Sequence, residues 1–128
     1  MRDRLRQRPC PQRGHLTGPN RTDRGKNGSK IHLIVDRQGL PLSVGISAAN
    51  LHDSQALIPL VRGIRHRLAR KGIETSRRLG RHRWVVERTV SWLSGCRRLH
   101  RRYERKPEHF LAFTAIAATL ICHRRLAK

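Results

Sequence analysis

A stretch of alternating apolar and polar residues between positions 30 and 47 constrains the fold of this chain more than any other feature. Its apolar positions are Ile31, Leu33 and Val35, followed by Leu42, Val44 and Ile46. A period of two indicates β-strands. The intervening Asp36-Arg37-Gln38-Gly39 is typical of a turn, with Asp36 as a turn residue. The pattern predicts an antiparallel β-hairpin.

Three helices are predicted after the hairpin. The first opens at Asp53, the expected N-cap, and its apolar residues keep helical spacing to Leu68. The second begins near His82, and its apolar stripe steps by three or four residues from Val85 to Tyr103. The basic stretch 65–83 between them receives no assignment.

The third helix is predicted to start at Pro107, a residue favoured at the first helical position. It is apolar nearly all round, so we expect it to be mostly enclosed. Its most apolar run, Phe110 to Cys122, is well short of the roughly 20 residues that a bilayer span requires. No membrane association is therefore expected.

The balance of charge points to a polyanionic partner. The chain has 29 Lys and Arg against 8 Asp and Glu, a formal net charge of +21 over 128 residues. A compact body with that charge repels itself, and a bound polyanion relieves the repulsion. Arg far outnumbers Lys, and guanidinium groups suit bidentate phosphate contacts. Composition alone leaves open a basic tail on an unrelated fold.

Residues 1–29 are rich in Arg, Pro, Gly and Asn and show no apolar period, which predicts an extended, poorly ordered basic arm. The arm lacks the apolar segment of a secretion signal. The three cysteines are far apart and show no CxxC spacing. A zinc site is therefore not expected, and the expected location is the reducing cytoplasm.

Glu87 lies on the polar face of the second predicted helix, among arginines. One interpretation is an intrahelical ion pair with Arg83, four residues earlier, which contributes on the order of a few tenths of a kcal/mol. The other is a metal ligand, because phosphoryl transfer on DNA needs oxygen ligands for Mg²⁺ or Mn²⁺ and cations for the strand. Spacing alone leaves both open.

Several segments resemble, in the same order, those of bacterial insertion-sequence transposases of the DDE type. Residues 83–89, Arg-Trp-Val-Val-Glu-Arg-Thr, with Trp92-Leu93 and Arg97-Arg98-Leu99, resemble their C-terminal signature. Residues 28–36 and 40–44 resemble the hairpin that precedes the active site in this family. Residues 49–54 resemble the segment that follows that hairpin, and residues 109–113 resemble the last helix of the family's domain. The resemblance covers about residues 16–126.

The resemblance implies an RNase H-like fold in which three carboxylates bind two divalent metals, Mg²⁺ or Mn²⁺, for DNA cleavage and strand transfer. Glu87 matches the third carboxylate and Arg83 the accompanying arginine. The segment with the second carboxylate has no counterpart after Ile64, and the first has none upstream, where Asp3 lies in no strand pattern. A single carboxylate among arginines is expected to bind Mg²⁺ weakly.

We therefore predict an α/β fold: an incomplete RNase H-like domain over residues 30–126, made of an antiparallel hairpin and three helices, behind a flexible basic arm over 1–29. The predicted function is DNA binding by a truncated, catalytically defective transposase. One alternative is a site completed by a partner chain, either a second copy or a full-length transposase. Another is a non-enzymatic basic protein that binds nucleic acid.

The sequence also predicts the positions and roles of individual side chains. Trp92 is expected in the core, and Trp84, which lies off the main apolar stripe, either in the core or as a stacking platform for bases. His32 and His52 are expected at surface or DNA-facing positions. The residues expected to bind DNA are Lys30, Arg88, Arg97, Arg98, Arg101 and Arg102.

Overall fold

The computed structural model describes residues 7–9, 14–20, 26–62 and 83–127. This part of the chain contains four strands: β1 (Gln7–Pro9), β2 (Gly18–Pro19), β3 (Asn27–Val35) and β4 (Pro41–Ala48). It contains three α-helices, α1 (Asp53–Val61), α2 (Arg83–Ser94) and α3 (Pro107–Leu126), with a 3₁₀ turn at Arg97–Leu99. The predicted α/β class and the predicted start of the last helix at Pro107 are confirmed.

β3 and β4 form the predicted antiparallel hairpin, in a register that runs from Ser29 opposite Ala48 to Val35 opposite Pro41. Asp36 holds the turn, because its Oδ1 accepts the backbone N–H groups of Gln38 (2.8 Å) and Leu40 (2.7 Å). Gly39 completes it with a φ of +84°, a conformation that glycine adopts without a steric penalty. The turn role predicted for Asp36 is confirmed.

β3 is the centre of the sheet and pairs with all three other strands. Its Gly28 pairs with Pro9 in β1 and with Gly18 in β2, so these two short strands flank β3 on opposite edges. The prediction of an arm without regular structure is wrong for residues 7–9, 18–19 and 27–29. Edge strands of two or three residues form through main-chain hydrogen bonds, which need no apolar period.

Helices cover both faces of the hairpin. α2, the 3₁₀ turn and α3 bury one face in an apolar cluster of Ile31, Leu33, Leu93, Leu99, Phe110, Ala117 and Ile121. α1 packs on the other face, where Leu60 lies so close to Gly45 that a Cβ there would meet its Cδ2 at 2.9 Å. The hairpin therefore belongs to a layered structure with a core on each side.

The ends of two helices differ from the sequence-based prediction. The N-cap of α1 is His52, whose Nδ1 accepts the backbone N–H of Ser54, while Asp53 is the first helical residue. The predicted continuation of this helix to Leu68 lies outside the described residues beyond position 62. α2 ends at Ser94, so the stripe extended to Tyr103 does not belong to one helix.

The prediction that α3 is mostly enclosed is wrong. Its inner side is buried through Phe110, Ala117 and Ile121. Its outer side leaves three large apolar residues exposed, with fractions of 39%, 56% and 48% for Phe113, Ile116 and Leu120. A helix on one face of a two-stranded hairpin has neighbours on one side only. Among the described residues, no helix has the length and apolar character to cross a membrane.

Arg102 ties the N-terminal segment to the rest of the molecule. Its fully buried guanidinium donates to the carbonyl oxygens of His15 (2.8 Å) and Leu16 (3.2 Å) and to the hydroxyl of Ser29 (2.7 Å). It also donates to the carbonyls of Glu104 and Arg105 in its own loop, at 2.9 and 3.0 Å. Five hydrogen bonds compensate a buried cation that would otherwise cost several kcal/mol.

His32 is buried on the α1 side of the hairpin, so its predicted surface position is wrong. Its Nε2 lies 2.6 Å from the hydroxyl of Ser47 on the neighbouring strand. Burial lowers the pKa of His32 below its ordinary 6.5. The negative charge of Asp53 raises this pKa, whereas the positive charge of Lys30 lowers it further. The imidazole is therefore kept neutral under the helix.

Acidification is expected to destabilise the fold through His32. The unfolded chain takes up this proton at a higher pH than the folded chain, so the free energy of unfolding rises with pH in that interval. The stability is fully present above about pH 6.5 and decreases as the pH falls towards the lowered folded-state pKa. Urea unfolding between about pH 5 and 8 measures the slope. The slope of the free energy of unfolding against pH should be smaller in His32→Asn than in the parent protein, while the exposed-site control His109→Gln should keep the parent slope. Equal slopes in the two variants would contradict the prediction.

Loss of Arg102 is expected to destabilise the protein by about 3 kcal/mol, because Arg102→Met leaves buried oxygen acceptors without donors. Arg102→Lys should also destabilise, since one ammonium group cannot serve the same five acceptors. The neighbouring Arg101→Met removes the same charge from an exposed position and should change the free energy of unfolding by less than about 0.5 kcal/mol. Similar urea midpoints for Arg102→Met and Arg101→Met would refute this role.

Candidate functional site

Glu87 projects from the exposed side of α2, as the periodicity predicted. Its Oε1 lies 3.0 Å from Nε of Arg83, and the two side chains are 45% and 46% exposed. The predicted i,i+4 ion pair is present. A pair that is nearly half exposed is screened by water, so it contributes little to stability and leaves the carboxylate within reach of solvent.

The described carboxylates do not assemble around Glu87. Asp36 holds the hairpin turn, Asp53 pairs with Lys30 at 3.0 Å, and Glu104 pairs with Arg98. Within the described ranges there is no group of three or more His, Cys, Asp or Glu side chains that could hold a metal. A pair of catalytic metal ions needs carboxylates from several residues, with waters completing the coordination, so the described residues alone do not form a two-metal site. Asp3 lies outside the described residues.

The hairpin turn fixes α2 against the sheet at the level of Glu87. The buried hydroxyl of Thr89 lies 2.6 Å from the carbonyl oxygen of Gly39, and Nη2 of Arg88 donates to the carbonyl of Gln38 at 2.5 Å. A Cβ at position 39 would meet Thr89 Oγ1 at 2.9 Å. The absence of a side chain at Gly39 therefore permits the close approach that places the helix.

Two of the six basic residues expected to bind DNA are used inside the protein. Arg102 is fully buried, and its donors are spent on five protein oxygens. Lys30 has a side chain only 12% exposed and donates to the carbonyl of Leu51 (2.8 Å) and to Asp53. The DNA contacts predicted for these two residues stay predictions; in this structure the guanidinium of Arg102 is not accessible and Lys30 is bound at the start of α1.

The other four basic residues lie nearer to solvent. Arg97, Arg98 and Arg101 are exposed on and after the 3₁₀ turn, and Arg98 is paired with Glu104. Arg88 is half-buried and lies over the rings of Trp84 and Trp92, with its guanidinium carbon 4.6 and 5.0 Å from their centroids. Arg98 and Arg101 thus both lie near Tyr103, with Arg97 on the same 3₁₀ turn as Arg98, and Arg88 lies apart on α2.

Aromatic rings beside arginines form a feature that the sequence analysis missed. Trp84 is mostly exposed, which excludes the core, one of the two positions that the sequence left open for it. Trp92 packs against the core and has Arg125 4.1 Å from its centroid. Trp84, Arg88 and Trp92 are four residues apart, a spacing that puts them on one helix face and could have revealed this stack. Tyr103 and Phe113 both have Arg98 over their rings, but they do not lie on one helix. No helical spacing in the sequence therefore predicts this arrangement.

Comparison with known proteins assigns the family. Residues 8–75, more than half of the chain, match the family described as Transposase DDE domain. The chain belongs to this family. It is 33% identical over 149 residues to a Burkholderia cepacia protein named as a transposase for insertion sequence element IS402, with 88% of this chain and 71% of that protein covered. No solved structure matches the chain.

These matches confirm the resemblance to insertion-sequence transposases of the DDE type. The stretch matched in the Burkholderia protein, 149 residues, is longer than the 128 residues of this transposase-family chain. That relative therefore has positions inside the match with no counterpart here. The family match ends at residue 75, before Glu87.

Replacing Glu87 is expected to have little effect on folding. Glu87→Gln should change the free energy of unfolding by less than about 0.5 kcal/mol, because its ion pair with Arg83 is solvent-exposed. Thr89→Val on the same helix should cost about 1–2 kcal/mol, since it leaves the buried carbonyl of Gly39 without its donor. Chemical unfolding of both variants tests the contrast, and a larger loss from Glu87→Gln would mean that its ion pair is structurally important.

Proposed function

We propose that this chain is a DNA-binding member of the DDE transposase family that has lost strand cleavage and transfer. The observation that carries the proposal concerns Glu87, the one carboxylate that matches the family's catalytic set: among the described residues it belongs to no group of three or more side chains that could hold a metal. One of its partners is the guanidinium of Arg83. Two-metal catalysis requires several carboxylates to hold the ions and neutralise their charge.

The loss of catalysis is ascribed to an internal deletion in an RNase H-like domain. A hairpin with helices on both faces is compatible with part of such a domain, and the Burkholderia relative has positions that this chain lacks. The sequence resemblance puts the gap after Ile64, where the segment with the second carboxylate is absent. The proposed truncated domain occupies residues 30–126. Residues 14–20 pack against it through the pairing of β2 with β3 and through the hydrogen bonds of Arg102.

The DNA-binding surface is assigned to the exposed arginines after α2. Arg97 and Arg101 are exposed, and neither has a described carboxylate within ion-pair distance. In a chain of net charge +21, such side chains are available to phosphates, whose binding releases condensed counterions and makes the affinity depend on salt. A DNA partner also fits the cytoplasmic location expected from the sequence.

Completion of the site by a partner chain is a second candidate, favoured by the exposed outer side of α3. Phe113, Ile116 and Leu120 form an uncovered apolar stripe of the kind that often marks a protein contact. In that case, addition of a full-length relative with an inactivated third carboxylate would restore DNA cleavage that depends on Glu87.

The purified chain should bind a labelled duplex carrying the inverted repeats of its own element, with an affinity that decreases steeply as salt increases. It should produce no cleaved or joined strands with Mg²⁺ or Mn²⁺. Gel-shift and strand-transfer assays on the same duplex measure both properties, and Glu87→Ala serves as the matched variant. Strand transfer that disappears in Glu87→Ala would overturn the loss of catalysis, and the absence of binding even at low salt would overturn the DNA-binding role.

A further inference from the structure

The loop between the 3₁₀ turn and α3 places an aromatic ring in a strongly basic segment. Residues 97–106 read Arg-Arg-Leu-His-Arg-Arg-Tyr-Glu-Arg-Lys. Tyr103, the only tyrosine of the chain, is 54% exposed. An aromatic ring gains stability from covering its apolar faces, yet Tyr103 is not part of the core cluster. Burial in the apolar core therefore does not account for the ring.

Neighbouring groups hold Tyr103 in a defined position. The guanidinium carbon of Arg98 lies 4.8 Å from the centroid of Tyr103 and 4.7 Å from that of Phe113. Arg98 is fixed in turn by its ion pair with Glu104, a side chain that is only 7% exposed. The backbone N–H of Tyr103 donates to Oε2 of the same carboxylate at 3.1 Å. The ring is thus arranged before any ligand arrives, which lowers the entropic cost of binding.

The surroundings of the ring indicate which ligand it fits. Arg98 covers the ring as a cation over an aromatic face, and Glu104 compensates its charge. Arg97 and Arg101 are exposed, and the guanidinium carbon of Arg101 lies 5.9 Å from the ring centroid. The ring has Arg101 next to it and Arg97 on the adjoining 3₁₀ turn, and neither arginine pairs with a described carboxylate. This arrangement matches the alternation of base and phosphate along a nucleic-acid strand.

We propose that Tyr103 is a stacking platform for an unpaired nucleic-acid base, and that Arg97 and Arg101 bind phosphates of the same strand. The inference rests on the proposed DNA binding and adds the form of DNA that this loop recognises. Base faces inside a duplex are covered by their neighbours, so away from the duplex ends a surface ring stacks only on a base that has left the helix or belongs to a single strand. The loop therefore favours single-stranded over duplex DNA.

Fluorescence anisotropy with the full chain tests this at a fixed salt concentration. The probes are a labelled oligothymidylate of about 15 nucleotides and a labelled blunt duplex. Tyr103→Leu should raise the Kd for the oligothymidylate about tenfold, since one stacked base is lost, and the Kd for the duplex less than about twofold. Tyr103→Phe keeps the ring and should retain the parent affinity for both probes.

Two further readouts separate stacking from charge and from misfolding. Arg101→Gln should weaken both probes and reduce the salt dependence of binding, whereas Tyr103→Leu should leave the salt dependence unchanged. The thermal unfolding midpoint of Tyr103→Leu should equal that of Tyr103→Phe, because the ring is exposed.

Each remaining outcome counts against a specific claim. If Tyr103→Leu binds the oligothymidylate as tightly as the parent, or weakens both probes equally, the stacking role is wrong while DNA binding stands. If the parent chain binds neither probe, the proposed function fails and this inference fails with it.

Discussion

The buried guanidinium of Arg102 is the interaction on which much of the structure depends. It joins three parts of the chain: the segment around His15 and Leu16, the start of β3 at Ser29, and the loop before α3. Carbonyl and hydroxyl oxygens satisfy it, and no described carboxylate forms an ion pair with it. A planar group with five donors suits this task, because its hydrogen bonds point outward in fixed directions.

The same principle explains how a chain of such positive charge forms a core. Basic side chains are bound locally instead of being left to repel one another: Lys30 by α1, Arg88 by the hairpin turn and two indole rings, and Arg98 by Glu104 and two rings. Aromatic faces act as partners for cations where carboxylates are scarce. Among the arginines that remain exposed are Arg97 and Arg101, to which the proposed DNA binding is assigned.

Much of the fold could be predicted from local patterns. The alternation around β3 and β4, the turn chemistry of Asp36, and the helix start at Pro107 are properties of short segments, and the structure agrees with them. The Arg83–Glu87 ion pair follows from spacing on one helix. The family followed from the order of several motifs, which composition alone could not have supplied.

The errors concern interactions between distant segments. Residues 14–20 are held in place by Arg102, which lies 86 positions from Leu16 in the sequence. No local sequence pattern predicts that contact. His32 was placed at the surface because a histidine in an alternating strand marks the polar face, but α1 buries that face. α3 was expected to be enclosed because periodicity reports which residues are apolar, and not how many neighbours exist to cover them.

The uncovered stripe on α3 bears on how the protein behaves in concentrated salt. Residues 107–122 contain no lysine or arginine, so electrostatic repulsion between two such stripes comes from basic side chains of neighbouring segments, among them Arg98, which lies over Phe113. At about 1 M salt the screening length is about 3 Å, too short for that repulsion to keep two such stripes apart. If the arginines bind DNA as proposed, the high salt that releases the DNA also favours association of molecules through Phe113, Ile116 and Leu120. The solubility of the protein would then depend on whether its basic surface is occupied.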